Sequence, residues 1–341
     1  MPIEKNSLAN NSRREFIIKG TLATAGIFLA GKSVLSNTFS ESSGPNSKFH
    51  GVQVGVITYS FRRLPGGAEQ TLKYITDSGI SAIELMGDPA EEFAGKPANP
   101  VKMKPWTNGQ PPKYTDEESA QMAEYAKAVA AWRATVPMDK FVEFRKMYNK
   151  AGVSIYAYKP NALEPKSTDA EIEYALKAAK ALGAKSVTVE LPTDPAHSLR
   201  LGKLAEKHKV YIGYHAHTQA TDTAWDTALA QSPYNSMNLD CGHYIAAGGN
   251  NTKETLLALI EAKHDRITSM HIKDRKNKAN GGANMPWGQG DTPIKEILNL
   301  LKDKKYAIPA TVELEYDVPA DSDAVKETAR CLAFAKKALG A

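Results

Sequence analysis

Acidic and histidine side chains recur through the second half of this 341-residue chain, at the ends of short apolar runs. They lie in five stretches: Glu190, His215 with His217, Asp240 with His243, His271 with Lys273, and Glu313 with Glu315. A single acid or histidine of this kind is usually a surface residue or a helix cap. Independent caps would not select Glu, His, Asp, His and Glu in five successive stretches. Carboxylate and imidazole groups in one cavity suit Mn²⁺, Co²⁺, Zn²⁺, Mg²⁺ or Fe²⁺, and without a cation several close carboxylates repel one another. The pattern therefore predicts one divalent metal ion, provided that the fold brings the stretches together.

The elements that would position these residues form a repeating pattern after residue 50. Short runs rich in β-branched residues predict eight strands, at 52–58, 82–85, 154–158, 186–190, 210–214, 236–240, 267–271 and 310–315. Apolar residues at helical spacing predict helices between and after them, at 68–77, 139–150, 170–182, 199–208, 221–230, 252–262, 293–301 and 322–339.

Strands that alternate with helices of this length indicate a parallel sheet. Eight such units predict an α/β fold, a closed (β/α)8 TIM barrel, in which side chains at the carboxyl ends of the strands converge on one pocket. The alternative is an open doubly wound sheet, but no G-x-G-x-x-G motif follows the first strand. Since side chains repeat every two residues along a strand, Glu313 and Glu315 are expected to share the inner face.

A long insertion at 88–138 separates the second strand from its helix. It holds a stretch rich in Pro and Gly and then a helix from about residue 116 to 134, for which Thr115 and Glu118 form a capping box. An insertion in this loop falls on the catalytic face and is expected to be a lid or a substrate-binding arm. Its aromatic residues, Trp106, Tyr114 and Trp132, either stack on a sugar ring or pack the insertion onto the barrel.

The first 47 residues differ from the rest of the chain. Arg13 and Arg14 precede a short uncharged apolar run at 20–31, a pattern that resembles a twin-arginine export signal. This run is too short for a stable membrane span. We therefore expect a signal and linker at 1–47, a barrel domain at 48–341, and a periplasmic or otherwise exported protein. The formal net charge of +5 is too small to indicate nucleic-acid binding.

Three stretches in order resemble the xylose isomerase-like barrel superfamily, which also includes sugar phosphate isomerases and epimerases and AP endonuclease family 2. They are Leu239-Asp240-Cys241-Gly242-His243, His271-Ile272-Lys273-Asp274 and Val312-Glu313-Leu314-Glu315. The strand that starts at Gly55 and the Trp287-Gly288-Gln289-Gly290 turn also fit, so that the similarity covers about residues 50–338.

The resemblance implies one divalent metal ion held by a Glu-Asp-His-Glu set. Asp240, His271 and Glu313 match three positions of that set. Many relatives supply the fourth ligand from a Glu-Asn-His pattern, where this chain has His215-Ala216-His217. Glu190 is the favoured fourth ligand, and His215 is the alternative.

The chemistry that such a site supports is proton abstraction next to a carbonyl. His215 is the candidate base, with Glu190 or Glu313 as the alternative. His217 and Lys159 are placed near the substrate, and Lys273 polarises the oxygen that gains charge. The residues assigned to substrate binding are His243, Glu315, Trp106 and Trp287.

The expected function is a metal-dependent sugar isomerase or epimerase that acts on a small sugar or glycoside. A keto-glycoside lyase or dehydratase would use the same enediolate intermediate, so the sequence keeps it as the alternative. A non-catalytic sugar-binding barrel and a DNA repair enzyme like endonuclease IV are less favoured. The three-zinc cluster of endonuclease IV needs more histidines, and residues 84–86 supply none.

Overall fold

A computed structural model describes residues 44–104 and 111–341 of the chain. The predicted signal and Trp106 lie outside these residues, apart from the last residues of the expected linker. The export signal and the stacking role of Trp106 therefore remain predictions.

Eight parallel strands form a closed barrel. They are β1 (Val52–Ile57), β2 (Ala82–Met86), β3 (Ser154–Lys159), β4 (Ser186–Glu190), β5 (Tyr211–His215), β6 (Asn235–Asp240), β7 (Ile267–Ile272) and β8 (Ala310–Val312). Each strand pairs with its neighbours in chain order, and β8 pairs with β1 to close the ring, with Ala310 opposite Val54. The predicted (β/α)8 barrel is confirmed.

Helices surround the barrel. They are α1 (Ala68–Asp77), α2 (Gly87–Phe93), α3 (Asp116–Thr135), α4 (Asp139–Lys150), α5 (Asp169–Leu182), α6 (Pro195–His208), α7 (Asp226–Gln231), α8 (Cys241–Ala247), α9 (Lys253–Lys263), α10 (Ile294–Lys304) and α11 (Ala324–Leu339). Local sequence explains many of their ends: Thr168 and Glu171 form a capping box at the start of α5, and Gly183 ends it in the left-handed conformation. None of the helices in the described ranges is long and apolar enough to cross a membrane.

Strand alternation divides apolar from polar side chains. On β7, Met270 and Ile272 are fully buried in the apolar core, whereas Ser269 and His271 alternate with them on the inner face. The barrel interior is polar even far from the strand ends. Gly55 leaves room there for Tyr156, whose hydroxyl lies 2.8 Å from Thr311 Oγ1. Apolar packing thus stabilises the outer layer, and the inside of the barrel is available for polar chemistry.

Two irregularities in strand pairing lie within the barrel. The register between β2 and β3 shifts at Ile83 and Glu84, and the register between β6 and β7 shifts at Met237 and Asn238. A bulge changes the direction in which a side chain points. Glu84 and Asn238 are both fully buried and contact each other, with Asn238 Nδ2 donating to Glu84 Oε2 at 3.1 Å.

Some predicted boundaries were wrong. The eighth strand ends at Val312 rather than at residue 315, so Glu313 and Glu315 lie just beyond it. The predicted helix at 221–230 begins only at Asp226. Two short helices were missed: α2, which starts one residue before the proposed insertion, and α8, whose first turn is capped by the side chain of Asp240. Both are seven-residue helices that begin at or next to glycine, and neither gives a clear helical period.

The insertion is anchored to the side of the barrel. Its helix α3 starts at the predicted Thr115–Glu118 capping box. Near the other end, Trp132 packs edge-on against Tyr174 of α5, with ring centroids 5.7 Å apart. Of the two predicted roles for Trp132, the contact in the structure is the one that packs the insertion onto the barrel.

Candidate functional site

The acidic and histidine residues of the five predicted stretches lie together at the carboxyl end of the barrel. Glu190 on β4 pairs in register with His215 on β5, and Asp240 on β6 pairs with His271 on β7. Glu313 follows β8, and its backbone N–H donates to the carbonyl of Ile272 at 3.3 Å. The structure thus brings all five stretches into one cluster.

Four buried ligand-type atoms of the cluster have no aligned hydrogen-bond partner: Glu190 Oε2 at the mouth, and Asp240 Oδ2, His271 Nδ1 and Glu313 Oε2 deeper in the barrel. His271 Nδ1 lies 3.0 Å from Glu313 Oε2 and 3.8 Å from Asp240 Oδ2. Two carboxylates and one imidazole are suitable ligands for a divalent metal, so these residues fit one.

Glu84 holds the His271 ring. His271 Nε2 lies 2.9 Å from Glu84 Oε2, and because a carboxylate only accepts, this nitrogen is the one that donates. Thr188 donates to the other oxygen of Glu84 at 2.6 Å. Burial would raise the pKa of Glu84, but the attraction of His271 outweighs it and lowers that pKa. A carboxylate that orients a metal-binding histidine in this way is a common support in metal sites.

His215 is buried next to this group. Its Nδ1 lies 2.9 Å from Asn238 Oδ1, an acceptor, so Nδ1 carries the proton and Nε2 has a free lone pair. Burial lowers the pKa of His215 well below its usual value. Ligand atoms of His215, Asp240 and His271 lie within 4.8 Å of one another. A neutral imidazole with an inward lone pair is suited to metal binding.

Glu190 lies at the mouth of the barrel with a cationic group at each oxygen. Lys159 Nζ donates to Oε1 at 3.0 Å, and His217 Nδ1 lies 3.1 Å from Oε2, although without hydrogen-bond alignment. Burial opposes ionisation of Glu190, but the close contact with His217 and the charge of Lys159 lower its pKa. The same contact with Glu190 raises the pKa of His217, whose side chain is 50% exposed.

Lys273 contacts the carboxylates of both Asp240 and Glu313. Its Nζ lies 2.6 Å from Glu313 Oε2 and 3.0 Å from Asp240 Oδ2, and it donates to Glu315 Oε2 at 2.6 Å. Both Glu313 and Glu315 thus point inward, as the sequence predicted. Burial alone would lower the pKa of Lys273, but these carboxylates raise it, so the side chain is an ammonium.

His243 lies between two cations. Its Nδ1 is 2.6 Å from Arg275 Nη1, and its Nε2 is 3.0 Å from Lys273 Nζ. Burial and then the charge of Lys273 lower its pKa. Ligand atoms of His215, His217 and His243 also lie within 4.8 Å of one another. Because each ring nitrogen of His243 already faces a donor, we do not regard those three histidines as a metal site.

The turn at 286–290 is held by a buried carboxylate. Asp274 Oδ2 accepts from the backbone of Gly288 at 2.7 Å and of Gly290 at 2.8 Å. A Cβ at Gly290 would lie 2.1 Å from Asp274 Oδ1, so the turn needs glycine there. Trp287 is half-buried and packs edge-on against Phe334, 5.8 Å between ring centroids. Its predicted role in substrate binding remains a prediction.

Sequence reasoning missed Glu84, Asn238 and Arg275, and it gave Asp274 no role. Glu84 and Asn238 lie at bulges, which strand periodicity does not indicate. Arg275 follows the matched stretch at 271–274 by one residue, so a search for donors next to that stretch would have found it.

A family model described as xylose isomerase-like TIM barrel matches residues 118–335, which is more than half of the chain. The chain belongs to the xylose isomerase-like TIM barrel family. The matched residues include β4 to β8 and the acidic and histidine side chains of the cluster. Glu84 lies before the first matched residue. No curated protein matches the sequence significantly.

Solved structures share the fold of this family member at low sequence identity. One is a 3-keto-D-glucoside 4-epimerase from E. coli, with 12% identity, a TM-score of 0.54, and coverage of 84% of this chain and 99% of that one. A second is a probable 3-DHS dehydratase from Bacillus anthracis, with 14% identity, a TM-score of 0.56, and coverage of 83% and 99%. A third is a xylose isomerase-like TIM barrel protein from Mycobacterium smegmatis in complex with magnesium, with 13% identity, a TM-score of 0.52, and coverage of 86% and 98%.

Proposed function

We propose that this protein is a divalent-metal-dependent enzyme that isomerises or epimerises a sugar or keto-sugar by removing a proton next to a carbonyl. The observation that carries the proposal is the group of three buried ligand atoms on Asp240, His271 and Glu313 that lack aligned hydrogen-bond partners. The similar structure named a 3-keto-D-glucoside 4-epimerase supports the substrate class, and the magnesium complex supports the metal.

Asp240, His271 and Glu313 would hold the metal, with His215 or Glu190 as the fourth ligand. The geometry favours His215, because its Nδ1 proton is committed to Asn238 and leaves Nε2 free. Its ligand atom also lies within 4.8 Å of those of Asp240 and His271, whereas Glu190 contacts Lys159 and His217 at the mouth of the barrel. When bound, a divalent cation supplies a Lewis acid for the carbonyl and a neighbouring hydroxyl of the sugar.

The fourth ligand can be identified by metal titration. We expect His215→Gln to weaken binding of Mn²⁺ by more than about 100-fold, since it removes a direct ligand, and Glu190→Gln to weaken it by less than about tenfold. Isothermal titration calorimetry on the full chain measures both. The reverse order would assign the position to Glu190, and Lys185→Gln, an exposed lysine preceding β4, is the control.

His217 is the residue that would move the proton. It is half-exposed at the mouth, where substrate enters, and the Glu190 carboxylate beside its Nδ1 stabilises the imidazolium that forms when Nε2 takes up a proton. Lys159 keeps Glu190 ionised and in place. Lys273, an ammonium near the carboxylates, would stabilise the negative oxygen of the intermediate.

A second reaction is open to the same residues. If a substituent on the next carbon leaves after proton removal, the product is that of a lyase or dehydratase. The half-exposed His217 lies where it could return its proton to such a leaving group, and one similar structure is named a probable dehydratase.

We also propose that the protein is exported and acts on sugars that carry no phosphate, because of its twin-arginine-type leader.

The deciding experiment incubates the metal-loaded protein with 3-keto-glycosides and, separately, with free ketoses in D₂O, and follows both by NMR. Deuterium entry with interconversion of isomers is the expected result. Release of the aglycone with an unsaturated or hydrated keto-sugar would replace it with the lyase reaction. The absence of both from the wild-type protein, with metal bound, would overturn the proposal, and His217→Ala should retain metal but lose turnover.

A further inference from the structure

We propose that Ser60 and Arg62 are positioning residues that fix the carboxylates of Glu313 and Glu315 in the catalytic cluster. They do so by holding the backbone of Leu314, the residue between the two glutamates, after the pairing of the last strand has ended. This inference rests on the proposed function, in which Glu313 is a metal ligand. The contacts that carry it can also be measured in protein without metal.

The first step concerns the backbone beyond β8. The pairing of β8 with β1 ends at Val312, because β1 is followed by a short 3-10 helix at Thr58–Phe61. On the other side, the backbone N–H of Glu313 still donates to β7 at 3.3 Å. The N–H and C=O of the buried Leu314 point to the side where β1 has ended. Buried backbone groups are almost always hydrogen-bonded, so side chains must replace the strand here.

The second step is how the two groups of Leu314 are satisfied. Its N–H donates to Ser60 Oγ at 3.1 Å, and its carbonyl accepts from Arg62 Nη1 at 2.8 Å. Ser60 is itself buried. Arg62 Nη1 also donates to the carbonyl of Tyr59 at 3.1 Å, and its guanidinium lies 4.2 Å from the centre of the Tyr59 ring. Two side chains of the 3-10 helix thus hold Leu314 at both of its polar groups.

The third step is the effect on the two glutamates. The Leu314 side chain is buried in the apolar core, so the side chains of Glu313 and Glu315 point the other way, into the barrel. There each has a carboxylate oxygen 2.6 Å from Lys273 Nζ. A rotation of the Leu314 backbone would move both carboxylates together. Ligands must be held to within about 0.5 Å of the binding geometry, so we expect metal affinity to depend on these two hydrogen bonds.

The first test needs no metal and measures amide hydrogen exchange of the full chain by NMR. We expect the Leu314 amide to be protected in the wild-type protein, and Ser60→Ala, which removes its acceptor, to speed its exchange by at least about tenfold. Ser60→Thr keeps a hydroxyl and should retain most of the protection. A wild-type Leu314 amide that exchanges like an exposed one, or one that Ser60→Ala leaves unchanged, would overturn the inference.

The second test measures metal binding by isothermal titration calorimetry. We expect Arg62→Met to weaken Mn²⁺ binding by about tenfold, and Arg62→Lys, which keeps a donor for the Leu314 carbonyl, to recover most of the loss. Arg63→Met is the matched control. Arg63 is the next residue, and its 3.7 Å ion pair with Asp317 is exposed, so its removal should change the affinity by less than about twofold.

The visible spectrum of bound Co²⁺ separates positioning from general support, because it depends on the arrangement of the ligands. We expect it to change in Arg62→Met and to stay the same in Arg63→Met. Equal affinities and equal spectra in these two variants would overturn the inference, even if Arg62→Met lowers the Tm. If the wild-type protein binds no divalent metal, the proposed function fails, while exchange of the Leu314 amide still decides whether Ser60 holds this segment.

Discussion

At the scale of single residues, the imidazoles of the cluster are oriented by side chains that are not among the predicted metal ligands. Glu84 accepts from His271 Nε2, and Asn238 accepts from His215 Nδ1. Asn238 also donates to Glu84, so one hydrogen-bonded chain fixes the orientation of both imidazoles. Each ring thereby directs its free nitrogen towards Asp240.

Glu84→Gln should therefore weaken metal binding, although Glu84 is not a proposed ligand. A glutamine amide can present an N–H to His271 Nε2 and turn the ring away or change its tautomer. We expect a loss of about 10–100-fold in Mn²⁺ affinity, measured by calorimetry.

Thr188→Val is the matched control, since it removes only the hydrogen bond to the other oxygen of Glu84. Unchanged affinity in Glu84→Gln would mean that the ring is held by the strand backbone alone.

The proposed metal ligands could be predicted from the sequence because each lies at the end of a recognisable strand, and the strand ends of a barrel lie close together. Their partners could not be predicted in the same way. The contact of Glu84 with His271 joins residues 187 positions apart, and the register shifts at Glu84 and at Asn238. Periodicity assigns a face to a residue, but it does not show where a strand shifts by one position.

At the scale of elements, the helix α3 of the insertion is held by a buried charge cluster. Arg133 Nη2 lies 3.0 Å from Glu91 Oε1, and Lys96 Nζ lies 3.1 Å from Glu91 Oε2. Tyr174 of α5 also donates to Glu91, at 3.1 Å. Glu91 on α2 thus joins α3, the loop before α3 and the barrel helix α5.

Arg133→Met should destabilise the protein more than most surface changes do. It leaves the carboxylate of Glu91, only 2% exposed, with a single cationic partner. Removing one partner of a buried ion pair costs about 3–5 kcal/mol. We expect a loss near the lower end, because Lys96 remains, and urea unfolding measures it.

Arg200→Met, which breaks an ion pair with the exposed Asp169, provides the control and should cost less than about 1 kcal/mol. Equal losses for the two variants would contradict a special role for the buried cluster.

Element boundaries show what the sequence could and could not predict at this scale. The helices at 68–77 and 139–150 match their predicted limits, because each combines a clear apolar stripe with a glycine near its end. The eighth strand was predicted too long, because Glu313, Leu314 and Glu315 continue its alternation although their ladder pairing has ended. The alternation was informative about the direction of the side chains but not about hydrogen bonding.

At the scale of the whole molecule, the proposed ligands come from strands that are far apart in the chain. His215 and Asp240 end β5 and β6, His271 is the penultimate residue of β7, and Glu313 follows β8. A metal bound to all four would link half of the barrel ring, and the ligands would be dispersed in the unfolded chain.

Metal should therefore raise the stability of the whole domain and not only of the site. At a free metal concentration 100 times the Kd, the gain is about 2.7 kcal/mol if the unfolded chain does not bind. Thermal unfolding with Mn²⁺ and with a chelator measures it, and Asp240→Asn should abolish the difference. A Tm that metal does not change, in protein shown to bind it, would contradict this expectation.

The start of β1 and the end of the last helix lie close together, which has a practical consequence. The short strand Lys48–Phe49 runs antiparallel to β1 at its start, and the ring of His50 lies 3.4 Å from the carbonyl of Gly340 near the end of the last helix. The first and last described parts of this domain are therefore neighbours at the end of the barrel opposite the catalytic cluster. A gene rearranged so that a short linker joins residue 341 to residue 48, with new ends in the exposed loop between Gly249 and Asn250, should still encode a closed ring. Fluorescent or affinity tags attached after residue 341 would likewise leave the mouth of the barrel open to substrate.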